Sequence, residues 1–457
     1  MTRRAFFVLG LALVGCGGMV KERGHDDVAK LVHERTGYRT RWEKGPPTDA
    51  QISKWVDELL AGGMTRDRAV EIALVNNPSL QITYEELGVS QADMVQAGLL
   101  SNPTLSGSIG FPLKGSSNEY EGSLTESFLD VFIVPLRKKV AKRQFIAETL
   151  RVAHQALSVA TDVRKAVATF QAESRVVELR STIADAAHVA ADLARRQHDA
   201  GNIDDFTWTQ ETTASEQASL DLEREKMTLL ETREALNGLL GLWGNDTAWT
   251  LTEPLADLPS GDPPLEHLES RAIASRLDVS AARKEAQLFE DALSLAKGSR
   301  YFGLVQVGVR ANEDAEGHVN LGPTLSLELP LFDQRQGLIG RLEAQYRQAL
   351  RRLTKVAIDA RQEVRVAEAR LAASRLMATR YKTTLLPLRQ QALSEAELLY
   401  NGMQIGLYQL LAAKQAEVEA HRSYIESLRD YWMARADLEM AVGGRVDERR
   451  PPEGSVR

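Results

Sequence analysis

Cysteine is almost absent from this chain of 457 residues, and the single one, Cys16, lies close to the N-terminus. One cysteine permits no disulfide bond within the chain. The eight histidines show no paired spacing typical of a metal site. After Cys16 no run of about 18 consecutive apolar residues occurs, so the sequence predicts no transmembrane helix.

Several kinds of functional motif are missing as well. There is no phosphate-binding Walker loop, no dinucleotide fingerprint and no nucleophile motif. A net charge of −7 gives no basic surface of the kind that binds nucleic acid. The sequence therefore predicts a protein that is not an enzyme, holds no cofactor or metal and binds no nucleic acid. Aromatic residues make up only 6%, which suits long, surface-rich helices better than one large core.

Against that background, four short stretches alternate apolar and polar residues with a period of two. They are Thr104–Leu113, Glu121–Ile133, Phe302–Asn312 and Val319–Phe332. Alternation over about 10 residues is the pattern of a strand in a transmembrane barrel, with one face towards lipid. The second stretch is the least regular, because Glu126 interrupts its apolar face.

Four strands are too few to close a barrel. An open sheet edge in lipid leaves backbone groups without partners, at a cost of several kcal/mol each. The sheet must therefore be completed by other copies of the chain. An alternative from the pattern alone is two antiparallel hairpins packed on one side by soluble helices.

The N-terminus has the features of an export signal. Arg3 and Arg4 precede the apolar stretch Ala5–Leu13, which is too short to span a bilayer. The following Leu-Val-Gly-Cys resembles a bacterial lipobox, which implies removal of residues 1–15 and attachment of palmitate and related lipid at Cys16. The arginine pair leaves both the general and the twin-arginine export routes open. Residues 16–64 are then a lipid-anchored N-terminal segment.

The rest of the chain contains one unit twice, at 65–242 and 266–443, joined by a proline-rich linker at 243–265 and followed by a tail at 444–457. Each unit begins with a short helical segment and contains a strand pair and two long helices with a coiled-coil repeat. Lys139–Ala200 as one helix would be about 90 Å long. Pro387 is expected to break the corresponding helix of the second unit. A generic antiparallel coiled-coil rod is the alternative for the helices alone.

At this point the chain resembles the TolC-like outer-membrane efflux proteins over residues 65–443. The resemblance rests on Asn77-Pro78, on Asn102-Pro103, on Leu329-Pro330-Leu331-Phe332-Asp333, on the lipobox and on the two glycine-marked turns, in which Gly201 is matched with Gly402. Asn77-Pro78 and Asn102-Pro103 are most similar to the branch that exports heavy-metal cations.

The resemblance implies a mainly α fold with a small membrane β part. Three chains would form one twelve-stranded barrel in the outer membrane and one α-barrel in the periplasm. The homotrimer would be a passive exit duct for metal cations or small-molecule drugs, supplied by a periplasmic adaptor protein and an inner-membrane transporter of the resistance-nodulation-division (RND) type. Two alternatives stay open: the outer-membrane component of a type I protein secretion system, and a lipid-anchored scaffold that conducts nothing.

The resemblance also implies roles for particular residues. The turns between the long helices would form the periplasmic tips that contact the adaptor and gate the duct, with Gly201, Asp204, Asp205, Gly402, Leu407 and Tyr408. The strand residues expected to face the lumen are Gln306, Arg310, Thr324 and Glu328. Asp204 has an alternative role, because it is also placed to cap the helix that follows it.

Overall fold

The computed structural model describes residues 23–42, 46–111, 118–262, 264–301, 303–313 and 317–446. Helices form most of it. They are α1 (Arg23–Thr36), α2 (Pro46–Ala61), α3 (Arg66–Asn76), α4 (Pro78–Ala97), α5 (Asp130–Asp199), α6 (Asp205–Leu240), α7 (Leu268–Ser275), α8 (Leu277–Gly298), α9 (Gln336–Arg380), α10 (Leu386–Asn401) and α11 (Leu407–Val442). A short 3-10 helix spans Gly244–Thr247. Among the helices in these ranges, none combines the length and apolarity needed to cross a bilayer.

The same element order appears twice along the chain. A helix pair leads into two strands, a long helix and a returning helix. Both returning helices, α6 and α11, contain 36 residues. This agrees with the duplication expected from the sequence, although the proposed domain boundaries themselves stay a prediction.

The first long helix, α5, contains 70 residues, which corresponds to about 105 Å at 1.5 Å per residue. It begins at Asp130, nine residues earlier than predicted. The predicted strand Glu121–Ile133 is therefore wrong at its C-terminal end, because residues from Asp130 onwards are helical. Valine, isoleucine and phenylalanine favour both strands and buried helix faces, so this apolar run was ambiguous.

The second long arm is interrupted, as Pro387 predicted. A π-helical segment, Tyr381–Leu385, separates α9 from α10. The backbone N–H of Leu386 donates to the carbonyl of Tyr381, five residues earlier. A proline lacks the N–H that would bond four residues back, and its ring crowds that carbonyl. The wider π turn places this adjustment immediately before Pro387.

Four strands form one antiparallel sheet in the order β1 (Thr104–Gly110), β2 (Glu119–Ser127), β3 (Val305–Glu313) and β4 (Val319–Leu327). All four overlap the predicted stretches, but β4 ends earlier than predicted. Leu329, Leu331 and Glu328 therefore lie beyond the strand. Phe302 and the end of the first predicted stretch, at 112–113, lie outside the described residues.

A joint with the same hydrogen-bonding pattern occurs in both units. In the first, the side-chain amide of Asn76 donates to the carbonyl oxygens of Leu240 and Gly241 at 2.9 and 3.0 Å. Asn77 Nδ2 donates to Leu239, while its Oδ1 caps α4 by accepting the Leu80 N–H at 2.9 Å. These bonds satisfy the last carbonyls of α6, which no helical N–H reaches.

In the second unit, Ser275 Oγ donates to the Val442 carbonyl at 2.5 Å and Arg276 Nη1 to the Ala441 carbonyl at 3.3 Å. The glycine after each returning helix, Gly241 or Gly443, has a positive φ. The Asn77-Pro78 element on which the resemblance rests is thus part of a structural joint, which holds the start of α4 against the C-terminal end of α6.

The main hydrophobic core lies where α1 to α4 and the adjacent part of α5 meet. Towards its distal end α5 packs through small residues such as Ala184, Ala190 and Ala194. Alanine at these positions allows neighbouring helices to approach closely. The core therefore fixes one region of the molecule, and long, thin helical hairpins extend from it.

Candidate functional site

The strand register sorts the sheet into two faces of opposite character, since residues directly opposite each other on antiparallel strands share a face. The polar face consists of Thr104, Ser106, Ser108, Gly110, Glu119, Glu121, Ser123, Thr125, Ser127, Gln306, Gly308, Arg310, Asn312, Asn320, Gly322, Thr324 and Ser326. The apolar face consists of Leu105, Gly107, Ile109, Tyr120, Gly122, Leu124, Glu126, Val305, Val307, Val309, Ala311, Glu313, Val319, Leu321, Pro323, Leu325 and Leu327. The period-two pattern is therefore continuous across all four strands.

The apolar face is uncovered in the single chain. Leu105, Leu321 and Leu325 are 80%, 75% and 72% exposed. Exposed apolar surface costs about 25 cal/mol per Å² in water, and a contiguous patch of this kind marks contact with lipid or protein. Two carboxylates share this face: Glu313 at the hairpin end and Glu126, opposite Val307, near the helix end.

The polar face carries hydrogen-bonded pairs. Arg310 Nε lies 2.9 Å from Glu121 Oε1, and the hydroxyls of Ser106 and Ser123 lie 2.7 Å apart. Gln306 and Thr324, expected to face the lumen, also lie on the polar face. Their lumenal role stays a prediction, as does that of Arg310.

Glu328 departs from the expectation, because it lies one residue beyond β4. Its carboxylate accepts the backbone N–H of Leu304 at 2.9 Å, and its own N–H donates to the Leu304 carbonyl at 2.9 Å. Glu328 therefore fastens the base of β4 to that of β3. This use of a charged side chain leaves no trace in the alternation pattern.

The sheet is open at both ends. Each of β1 and β4 pairs with one neighbour only in the described structure. Such edges present unpaired backbone N–H and C=O groups to their surroundings.

The two turns between long helices are named here the first tip (197–208) and the second tip (399–410). In the first, the N–H of Asn202 donates to the Gln197 carbonyl at 2.8 Å, and Gly201 has a φ of 74°. This is the Schellman pattern that ends many helices, in which a left-handed residue favours glycine. The first tip therefore depends on Gly201 for its backbone conformation.

Asp204 is the N-cap of α6. Its Oδ1 accepts the Thr207 N–H at 2.9 Å, and this bond holds the pKa of the carboxyl below its usual range. Asp205 bonds instead to His198, with Oδ1 and Nε2 2.6 Å apart, and this bond raises the pKa of the imidazole. His198 also stacks on Trp208, with ring centroids 4.9 Å apart. The tip is thus a hydrogen-bonded cluster, of which His198 and Trp208 were not predicted.

The second tip repeats the backbone of the first with different side chains. The N–H of Gln404 donates to the Leu399 carbonyl at 2.9 Å, and the left-handed residue is Met403, with a φ of 57°. The counterpart of Gly201 is therefore Met403, and the matching of Gly201 with Gly402 in sequence was off by one. The helices that follow the two tips begin at Asp205 and Leu407, and their spacing likewise matches Gly201 with Met403.

Gly406 takes the N-cap position that Asp204 holds in the first tip, and the Gln409 side chain accepts its N–H at 2.7 Å. Leu407 is half-buried. Tyr408 is exposed and borders a small cavity between α5, α6 and α11.

Cys16 lies outside the described residues. Within the described ranges, no group of histidine and acidic side chains could hold a metal ion.

The described structure thus consists of long helical hairpins joined to a four-stranded sheet with one apolar and one polar face. Residues 69–242 match the family model described as outer membrane efflux protein. The cobalt-zinc-cadmium resistance protein CzcC of Cupriavidus metallidurans is 26% identical over 394 residues, which cover 84% of this chain and 91% of that protein.

Solved structures share the fold. The CmeC outer membrane channel of Campylobacter jejuni superposes with a TM-score of 0.73 at 15% identity, covering 87% of this chain and 89% of CmeC. The MtrE outer membrane channel of Neisseria gonorrhoeae, in its open state, gives 0.66 at 18% identity, with 83% and 89% covered. The resemblance to TolC-like outer-membrane efflux proteins stated from the sequence is confirmed. The chain is accordingly an outer-membrane channel for efflux.

Proposed function

We propose that three copies of this chain form the passive exit duct of a tripartite pump for metal cations. Each copy contributes four strands to one twelve-stranded barrel and its long helices to a periplasmic tube. A periplasmic adaptor and an inner-membrane RND transporter deliver the cations and supply the energy. The observation that carries the proposal is the continuous sorting of the sheet into an apolar and a polar face, with an unpaired strand at each edge.

The two edges support completion of the sheet by other copies of the chain. Backbone groups at a sheet edge must be paired inside hydrocarbon, so β1 of one copy has to meet β4 of another until the sheet closes. Four strands from each of three copies give twelve, an even number within the range of known bacterial barrels. Closure by identical copies related by rotation also gives every edge the same partner.

The cation as cargo is supported by a relative named for cobalt, zinc and cadmium resistance. Charge on the polar face agrees with it. Glu119 and Glu121 outnumber Arg310, so the face has an excess of one negative charge per chain. Three such faces around a lumen would favour cations over anions.

Two adjacent residues of β4 test the barrel. Leu325→Arg places a guanidinium on the apolar face, at a cost of about 2–4 kcal/mol in each chain if that face meets lipid near the midplane. Thr324→Arg places the same group on the polar face and is the matched control. We expect the Leu325 variant to be missing from outer-membrane fractions, whereas the Thr324 variant assembles and conducts less current in planar bilayers. Equal assembly of both variants would refute the proposed lipid contact.

The tips and the N-terminus complete the proposal. The tip residues Gly201, Asp204, Asp205, Gly402, Leu407 and Tyr408 would contact the adaptor and close the duct at rest. Lipid attached to Cys16 would anchor each chain in the same membrane. Cys16→Ser should abolish incorporation of radioactive palmitate, and continued labelling would show that this residue is not the site.

A further inference from the structure

A cavity of about 320 Å³ lies between the segment that follows α1, the start of α3, the middle of α5 and the end of α11. Four guanidinium groups border it, from Arg66, Arg164, Arg435 and Arg445. The volume is at the lower end of the range of small-ligand sites. Arg445 is exposed, so the cavity has a side that opens to solvent.

The carboxylates that border the cavity are fewer than its guanidiniums. Glu439 forms ion pairs with two arginines, with Oε2 2.7 Å from Arg164 Nη1 and Oε1 3.7 Å from Arg435 Nε. Asp67 accepts the Tyr38 hydroxyl at 2.6 Å. Among the described residues, no carboxylate oxygen lies within 4.0 Å of the guanidinium of Arg66 or of Arg445. The cavity thus has an excess of two positive charges.

Two aromatic rings hold the guanidiniums in position. Arg164 and Arg445 each lie 5.7 Å from the centroid of the Tyr38 ring. Trp432 is placed in the same way between Arg66 and Arg435, at 5.3 and 5.6 Å. Attraction between a cation and a ring face restrains a long side chain that would otherwise move freely. The guanidiniums are therefore arranged before any ligand arrives, which lowers the entropy cost of binding.

The position along α5 limits the source of the ligand. Arg164 lies 34 residues from Asp130, where α5 begins beside the sheet, so the cavity is about 50 Å from the sheet along that helix. Lipid headgroups next to a membrane-embedded sheet are too far away to reach it. The ligand must come from the periplasmic side.

We propose that this cavity binds an oxyanion with two negative charges, a phosphate or a dicarboxylate, on the outer-membrane channel's periplasmic part. Planar guanidiniums bind both groups through paired N–H donors. Arg66 and Arg445 supply the charge that Glu439 leaves uncompensated. The oxyanion is either a free periplasmic ion or part of a polymer such as the cell wall, whose peptides carry carboxylates.

Calorimetry on the full-length protein in detergent tests the proposal at low ionic strength, with inorganic phosphate and succinate titrated separately. Replacing two charge-assisted donors, in the double variant Arg66→Gln and Arg445→Gln, should weaken binding about 100-fold, or about tenfold for each donor lost. Arg195→Gln, an exposed arginine farther along α5, is the control and should bind as the native protein does. Co-sedimentation with purified cell-wall sacculi then separates a polymer source from a free ion.

A variant that is expected to bind more tightly distinguishes a lost binding site from a misfolded chain. Glu439→Gln removes the carboxylate that occupies Arg164, so phosphate should bind more tightly than to the native protein. The proposal is overturned if phosphate, succinate and sacculi all fail to bind saturably. It is also overturned if the double arginine variant binds as the native chain does, or if Glu439→Gln weakens binding.

Discussion

The end of α6 offers a sharp test of the joint that it forms with residues 76–78, where α3 meets α4. Gly241 has a φ of 70°, and a Cβ added there would overlap the carbonyl oxygen of Asn76 and lie 3.0 Å from Pro78 Cδ. Gly201 has nearly the same φ, 74°, but a Cβ there would meet nothing within 4 Å. Alanine at the two positions therefore introduces the same backbone strain, and a steric conflict at only one of them.

The expected magnitudes follow from these contacts. Left-handed backbone costs a residue with a Cβ about 1–2 kcal/mol. Displacing Asn76 also disturbs its two hydrogen bonds to the end of α6, each worth about 1 kcal/mol. Gly241→Ala should therefore cost about 3–4 kcal/mol in total, twice or more the cost of Gly201→Ala.

Hydrogen–deuterium exchange measures these costs locally, because exchange in a stable helix reports the free energy of opening. At the C-terminus of α6, Gly241→Ala should accelerate exchange by about 100- to 1,000-fold. At the first tip, Gly201→Ala should accelerate it by about 5- to 30-fold. Equal acceleration by the two variants would refute the idea that the joint depends on close approach of Gly241 to Asn76.

Three further predictions concern the tips and the sheet. Met403→Gly should relieve the left-handed strain at the second tip and slow exchange in the last turn of α10 by about 5- to 30-fold; unchanged exchange would mean that Met403 is not strained. The pKa of His198 is raised in the folded chain by Asp205 and, less strongly, by Asp199. The pairing of the imidazolium with these carboxylates therefore contributes fully to stability below the ordinary pKa of histidine, near 6.5, and this contribution is lost as pH rises through the raised value. Exchange at the first tip should accordingly quicken as pH rises through that window, after correction for intrinsic rates, and Asp205→Asn should flatten the dependence. Arg310→Gln removes the positive charge of the polar face and should raise cation selectivity, read from the reversal potential across planar bilayers; unchanged selectivity would place Arg310 outside the lumen.

Most of the secondary structure could be predicted from the periodicity of apolar residues in the sequence. Alternation with period two located all four strands, because each of their residues faces one of two different environments. The boundary between β2 and α5 was missed, since residues 131–133 are apolar and suit either structure. The end of β4 was missed for a related reason: the leucines at 329 and 331 continue the alternation after strand pairing has stopped.

The tips were predicted less completely, because their contacts depend on three-dimensional proximity and not on a pattern. Asp204 was recognised as a possible cap, and it is one. The pairing of Asp205 with His198 joins residues on opposite sides of the turn, and the sequence gives no sign of it. The sequence pattern matches Gly201 with Gly402, whereas in the structure Met403 holds the left-handed position of the second tip.

The open margins of the sheet have a consequence for inheritance. If a strand of one subunit must meet a strand of the next, a subunit that folds but cannot present its β1 will spoil every assembly that it enters. In the proposed trimer, with equal amounts of sound and defective chains, only about one assembly in eight would contain three sound copies. A defect confined to β1 or β4 should therefore be dominant, whereas a defect that prevents the chain from folding should be recessive.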